Sequence, residues 1–308
     1  MSRSPVTRRG LLGLAGAGAL TAGLSGCGIR LESGAPPIPG IPTQGPPADT
    51  PALQATVGSR QLALTALAQP TAGLQTQLKP VYEQQLIRVQ AVMASAGMPQ
   101  ATPSTSVGAT AASRVTFETF IRGELSASTF ARIAGVADAY LPMLAACSAL
   151  DAGVALSPQG LAAPGPAPAW PTATVPSAVA VGLLPAVREA VYGLEVIAAK
   201  TALTGRALVT ATLQTMYPMR AQLEAVAGEA APPLQSTYPL DPAPTTDPAR
   251  TTLGRQLLTA VVAACADQAD ATKGSADHVG ALLNLWGTAL ATSWKWGVAP
   301  VPFPGLAG

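Results

Sequence analysis

LPAVREAVYGLEVIAAKTALTG, residues 184–205, carries apolar side chains at steps of three and four: Leu184, Val187, Val191, Leu194 and Ala198. At 3.6 residues per turn, that spacing sets them on one face of an α-helix. Alanine fills much of the remainder, and alanine favours helix over strand. The fold class depends on how far this rhythm extends along the chain.

Downstream it continues. Val209, Leu213, Met216, Leu223 and Val226 step likewise and stop at Gly228. A loop of Pro, Ser, Thr and Asp runs from 232 to about 248, and Asp247-Pro248 predicts a helix start, with Asp as cap and Pro in the first turn. Leu253, Leu257, Val261 and Cys265 stripe the next helix; Val279, Leu282, Leu283, Trp286, Leu290 and Trp294 stripe the last. Upstream, Leu78, Tyr82, Leu86, Val89, Met93 and Ala96 share a helical face that ends at Gly97-Met98-Pro99, before the polar loop 100–108. Val115, Phe117, Phe120, Ile121 and Leu125 begin another face, and Phe130, Ile133, Tyr140, Leu141 and Leu144 a further one. With the stretch 53–67, the first half offers four helices. Residues 157–176 are dense in proline and predict a linker between the halves. Short loops favour antiparallel neighbours, so each half closes as a four-helix bundle or the two share one core.

The segment from about 183 to 297 also resembles a known family. Ala190-Val191-Tyr192-Gly193 in the first helix, MRAQLEAVAGEAAPP at 219–233, and the connection from Tyr238-Pro239-Leu240 to Thr246-Asp247 are similar to the ferritin-like domain of unknown function found in twin-arginine-exported bacterial lipoproteins. The resemblance implies a ferritin-like four-helix bundle in the C-terminal half, with residues 52–156 as a divergent companion. It implies no activity.

Composition agrees with a folded chain. Of 308 residues, 48% are hydrophobic and only 11% charged, the reverse of a disordered sequence. The formal net charge of +2 includes Arg3, Arg8 and Arg9. Without those three the charge is close to neutral, and no cluster of Lys and Arg is available to displace counterions from nucleic acid. Nucleic acid is therefore not expected as a partner.

The N-terminus reads as an address. A basic start is followed by residues 10–26, which carry no charge, and the run ends in Leu24-Ser25-Gly26-Cys27. Thr7-Arg8-Arg9-Gly10-Leu11-Leu12 resembles the twin-arginine export motif, and Leu24-Ser25-Gly26-Cys27 resembles the lipobox, whose cysteine thiol is joined to diacylglycerol. Several acyl chains on Cys27 anchor a protein durably, at about 0.8 kcal/mol per buried methylene. Residues 33–51, rich in Pro and Gly, predict an extended tether. The expected division is a signal peptide at 1–26, a lipidated tether at 27–51, a helical half at 52–156, a linker at 157–176, the ferritin-like half at 177–297 and a tail at 298–308.

Little reactive chemistry is placed by any motif. Di-iron bundles use a Glu-x-x-His pair on each of two helices; this chain has one histidine, His278, with Ser275 three residues before it. Where the family tends to carry Glu-His before the Val-Tyr of its first helix, this chain has Val187 and Arg188. A carboxylate-only iron or manganese site would have to draw on Glu189, Glu195 or Glu224, which read as solvated surface residues; no cofactor is expected. His278 reads as a helix-start residue rather than a proton-transfer group. Cys147 and Cys265 lie on apolar faces, where a free cysteine acts as a small hydrophobe, although an exported chain meets an oxidising compartment that permits a disulfide between them. Zinc is excluded by ligand count. Trp286, Trp294 and Trp296 read as core and helix-end packing.

The expectation is an all-α, extracytoplasmic protein held on the cell membrane by lipid. It would act without catalysis by binding an envelope protein, a cell-wall component or a small apolar ligand. The alternative is a metal-dependent ferritin-like oxidase or storage module with a non-standard carboxylate site.

Overall fold

A computed structural model of the chain describes residues 46–68, 73–100, 116–161 and 168–306. Among them all regular structure is helical: α1 (Thr50–Ala66), α2 (Gln75–Ser95), α3 (Phe117–Glu124), α4 (Ala127–Ala134), α5 (Leu141–Leu156), α6 (Ser177–Lys200), α7 (Ala207–Ala227), α8 (Asp247–Asp267) and α9 (Ala276–Lys295), with three single 3₁₀ turns between them. The all-α expectation therefore holds. Arg8, Arg9 and Leu24 to Cys27, expected to form an export motif and a lipobox, lie outside the described residues, as does most of the stretch 27–51 expected to form a tether.

Helices α6, α7, α9 and α8 are neighbours in that order around a ring, since α6 packs on α7 and α8, and α9 packs on α8 and α7. Short connections join α6 to α7 and α8 to α9, while residues 228–246 make a long crossing between the two pairs. In the first half α1 packs on α2 and α3, and α3 packs on α5. The halves do not stand apart. Both α4 and α5 pack against α9, and one hydrophobic core runs from Ala63 and Tyr82 through Leu150 and Val187 to Trp286. A smaller cluster of Leu53, Val57, Val89, Met93 and Met98 sits between α1 and α2.

Three sequence expectations need correction. The face from Phe130 to Leu144 belongs to two helices rather than one, because α4 ends at Gly135 and α5 restarts with Pro142 in its first turn. The first half thus has five helices. The cap of α8 is Thr246, whose hydroxyl accepts from the Ala249 amide at 3.3 Å, and Asp247 is already helical. The stretch 157–176 is more than a spacer where it is described: Trp170 stacks on Phe130, centroids 6.2 Å apart, and Val175 is buried.

Small residues set how closely the halves approach. Of the 16 residues of α5, 12 are buried, and 14 of the 20 in α9, so both helices are enclosed on nearly every side. A Cβ added at Gly287 of α9 would stand 2.6 Å from the Ala152 Cβ and 2.8 Å from the Ala152 carbonyl carbon. The two backbones meet there. We expect Gly287→Val to cost about 1–3 kcal/mol by overpacking, read as a lower urea midpoint at unchanged m-value.

The same logic applies at Gly193, one of the residues singled out in the sequence. A Cβ at Gly193 would come within 2.4 Å of Leu257 and 3.3 Å of Leu240, and Tyr192 meets Tyr238 with ring centroids 5.5 Å apart. Gly193 lets α8 and the crossing loop close onto α6. Among the described residues one helix, α6, is long and apolar enough to cross a membrane by length and composition, yet more than half of its apolar window is buried in the fold.

Candidate functional site

Four helices of the first half bring charged and polar side chains into the core. Arg60 and Ser59 come from α1, Tyr82 and Gln85 from one face of α2, Asp151 from α5, and Glu124 from the end of α3. Arg60, Tyr82, Gln85 and Asp151 are each at most 1% exposed. The Arg60 guanidinium spans the Asp151 carboxylate, with Nη1 donating to Oδ1 at 3.2 Å and Nη2 to Oδ2 at 2.5 Å. It also donates to Gln85 Oε1 at 2.8 Å and Ser59 Oγ at 3.0 Å, and lies over the Tyr82 ring, 5.0 Å from its centroid. Tyr82 donates its hydroxyl to Asp151 Oδ1 at 2.7 Å. Glu124 sits 3.8 Å from both Arg60 and Arg132.

The electrostatics follow from burial and from these partners. Burial is the largest single influence and works against the Arg60 charge, yet the Asp151 carboxylate, its hydrogen bond and the neighbouring Cys147 and Tyr82 together hold the guanidinium above its ordinary range. Burial, then the Asp151 charge, pushes the Tyr82 phenol well above its usual value. Glu124 is raised for the same two reasons in the same order. Cys147, one turn before Asp151 on α5, is pushed up to about 12 by burial. These directions oppose nucleophilic work, which needs a depressed thiol or phenol. Among the described residues Arg60 Nε finds no acceptor; the hydrogen bonds the cluster does make join α1, α2 and α5 and fix their mutual register.

Gln85 links this cluster to the surface. While its carbonyl accepts from Arg60, its amide donates to the Pro302 carbonyl. Pro302 belongs to the segment after α9, expected from the sequence to be a plain tail. That segment instead lies against α8, where a Cβ on Gly305 would stand 2.7 Å from the Val262 carbonyl. It is a strap held at both ends of its course. Between the strap, α2 and the start of α5 lies a cavity of about 760 Å³, lined by Gln84, Arg88, Val92, Met143, Phe303 and Leu306 among others.

Other residues singled out in the sequence are scattered. Arg188 is buried and donates to Glu224 at 3.0 Å and to the Pro232 carbonyl at 2.6 Å, so Glu224 is paired rather than merely solvated. Glu195 is exposed and accepts from the Tyr217 hydroxyl at 3.0 Å; Glu189 is half-buried. Among the described residues no three His, Cys, Asp or Glu side chains gather as a metal would require. The His278 amide, rather than its ring, takes part in the helix start, donating to Ser275 Oγ at 3.3 Å. Cys147 and Cys265 are free, buried thiols on α5 and α8. Trp286, Trp294 and Trp296 are buried, and Trp296 donates to Thr212 Oγ1 at 2.9 Å.

The sequence reading passed over Arg60, Gln85, Glu124 and Asp151, and took Tyr82 for core alone. A signal was present: Asp151 interrupts an otherwise uncharged run, LPMLAACSALDAGVAL, and a charge in such a run needs a buried partner. No protein-family model, no curated protein and no solved structure matches this chain.

Proposed function

We propose that the chain is a lipid-anchored protein of the bacterial envelope, exported by a twin-arginine signal and held through Cys27, whose ferritin-like helical body binds a small apolar ligand without catalysing its conversion. The cavity under the C-terminal strap carries the binding part of this reading. Its volume falls within the roughly 300–1,000 Å³ typical of small-molecule sites, and its walls are apolar with a few polar groups, the usual composition of such sites. The ring of α6, α7, α9 and α8, with its one long crossing, supports the ferritin-like part, because bundles of that family join two helix pairs by a single long connection.

Thiol counting tests the anchor. The native thiols of Cys147 and Cys265, pushed up to about 12 by burial, are expected to resist a thiolate-directed reagent at pH 8, since the thiolate is the reacting species. In denaturant, protein recovered from membranes should then titrate two thiols per chain, and Cys27→Ser protein the same two. A third thiol in the membrane-derived protein, or membrane association that survives Cys27→Ser, would refute the lipid anchor.

A further inference from the structure

We propose that the strap cavity takes a single-chain amphiphile with an ionised carboxylate head, a long-chain fatty acid, with the head at Arg88 and Gln84 and the chain inward along Val92, Met143, Phe303 and Leu306. This rests on the binding reading above and names the ligand class.

Gln84, Arg88 and Val92 of α2 are spaced by four, so they follow one another along a single face of the helix. Read along that face, the wall changes from amide to guanidinium to hydrocarbon within two turns. The burial of the other wall residues follows the same order. Gln84, Arg88, Ala139 and Val301 are exposed and form the mouth, while Val92, Met143, Pro302, Phe303 and Leu306 are half-buried behind them.

Charge decides the head group. Among the described residues no acidic side chain lines the cavity. Among the described residues Arg88, like Arg122, Arg220 and Lys79, has no carboxylate partner, and it is the charged residue that stands in the described lining of this cavity. A lone guanidinium beside a neutral amide, above an apolar chamber, complements one anion attached to one hydrocarbon chain. Gln85, next to Gln84 but turned into the core, holds the Pro302 carbonyl and so keeps the strap in place as the facing wall.

The residues from Pro46 onward form one compact unit by themselves, so residues 46–308 serve for the test. The protein is stripped of lipid and titrated with cis-parinaric acid by fluorescence, then challenged with palmitate and with hexadecanol, its uncharged counterpart of equal length. The expected result is one saturable site from which palmitate displaces the probe. Arg88→Gln, a surface change, should weaken palmitate by about tenfold, as loss of a charged hydrogen bond does, and leave hexadecanol unchanged. Equal affinity for palmitate and hexadecanol, with no effect of Arg88→Gln, would overturn the fatty-acid assignment while leaving an apolar site. Absence of saturable binding by either would overturn both the assignment and the cavity reading beneath it. Preference for a two-chain anionic phospholipid in vesicles over palmitate would also overturn it.

Discussion

Asp151→Ala is expected to lower the unfolding free energy by about 3–5 kcal/mol, because it leaves the Arg60 guanidinium buried without its principal counter-charge. The pair is enclosed, with Arg60 1% and Asp151 0% exposed. The remaining carboxylate, Glu124, stands 3.8 Å away and already faces Arg132. Tyr82 would lose the acceptor of its hydroxyl in the same step. Urea unfolding followed by circular dichroism measures the loss. The cause can be separated from simple cavity formation by the double variant Arg60→Met, Asp151→Leu. Removing both charges and refilling the space is expected to recover most of the lost stability, since a buried pair replaced by packed hydrophobes is often neutral or stabilising. If the double variant is as unstable as Asp151→Ala, the charge argument fails and packing alone explains the cost. The cluster also bears on binding. Gln85 is shared between Arg60 and the Pro302 carbonyl, so loss of Asp151 should loosen the strap and weaken palmitate and hexadecanol alike, whereas Arg88→Gln weakens palmitate alone.

The helices were legible in the sequence because their apolar residues recur at a helical period that needs no tertiary knowledge. The stripes of α2, α6, α7 and α8 reappear as buried faces, with Leu78, Val187, Leu213 and Val261 all in the core. What periodicity hides is a helix buried on every side. In α9 the stripe from Val279 to Trp294 was visible, but Ala281, Leu285, Gly287 and Ala291, off that stripe, are buried too. Of these Gly287 lies against Ala152 of α5, and no one-face pattern announces a second partner. The union of the two halves was therefore unreadable, since it depends on glycines and alanines whose value lies in what they lack. The polar cluster was hidden for a related reason. Arg60 and Asp151 are 91 positions apart; the apolar run around Asp151 signals that it needs a partner, but nothing names Arg60 as that partner until the fold brings α1 and α5 together. The cavity is similar: its two walls come from α2 and from the strap more than 200 residues later, and only Arg88 among its lining residues carries a charge.

Trp286→Ala is expected to cost about 3–5 kcal/mol, the range for truncating a fully buried large aromatic. Trp286 is 0% exposed and lies on α9, the helix both halves share. Among the described residues its indole N–H has no acceptor, and a buried donor left unpaired carries a penalty of about 1–3 kcal/mol. Trp286→Phe removes that donor together with part of the ring. The two effects oppose each other, so Phe should cost well under half of what Ala costs. A Phe variant as unstable as the Ala variant would mean that the indole nitrogen is satisfied after all. The shape of the transition is equally informative. Because one core spans α1 to α9, near-ultraviolet and far-ultraviolet circular dichroism should lose signal at the same urea concentration in both variants. Separate midpoints would indicate that the halves fold as independent bundles, and the α5–α9 seam would then be a docking surface instead of an interior. Coincident midpoints would tie the strap to the same cooperative unit, since it continues directly from the end of α9 and is fastened there by Arg255, which donates to the Trp296 carbonyl at 2.6 Å. The cavity would then exist only in the fully folded chain, and ligand should raise the unfolding midpoint in proportion to the logarithm of its concentration.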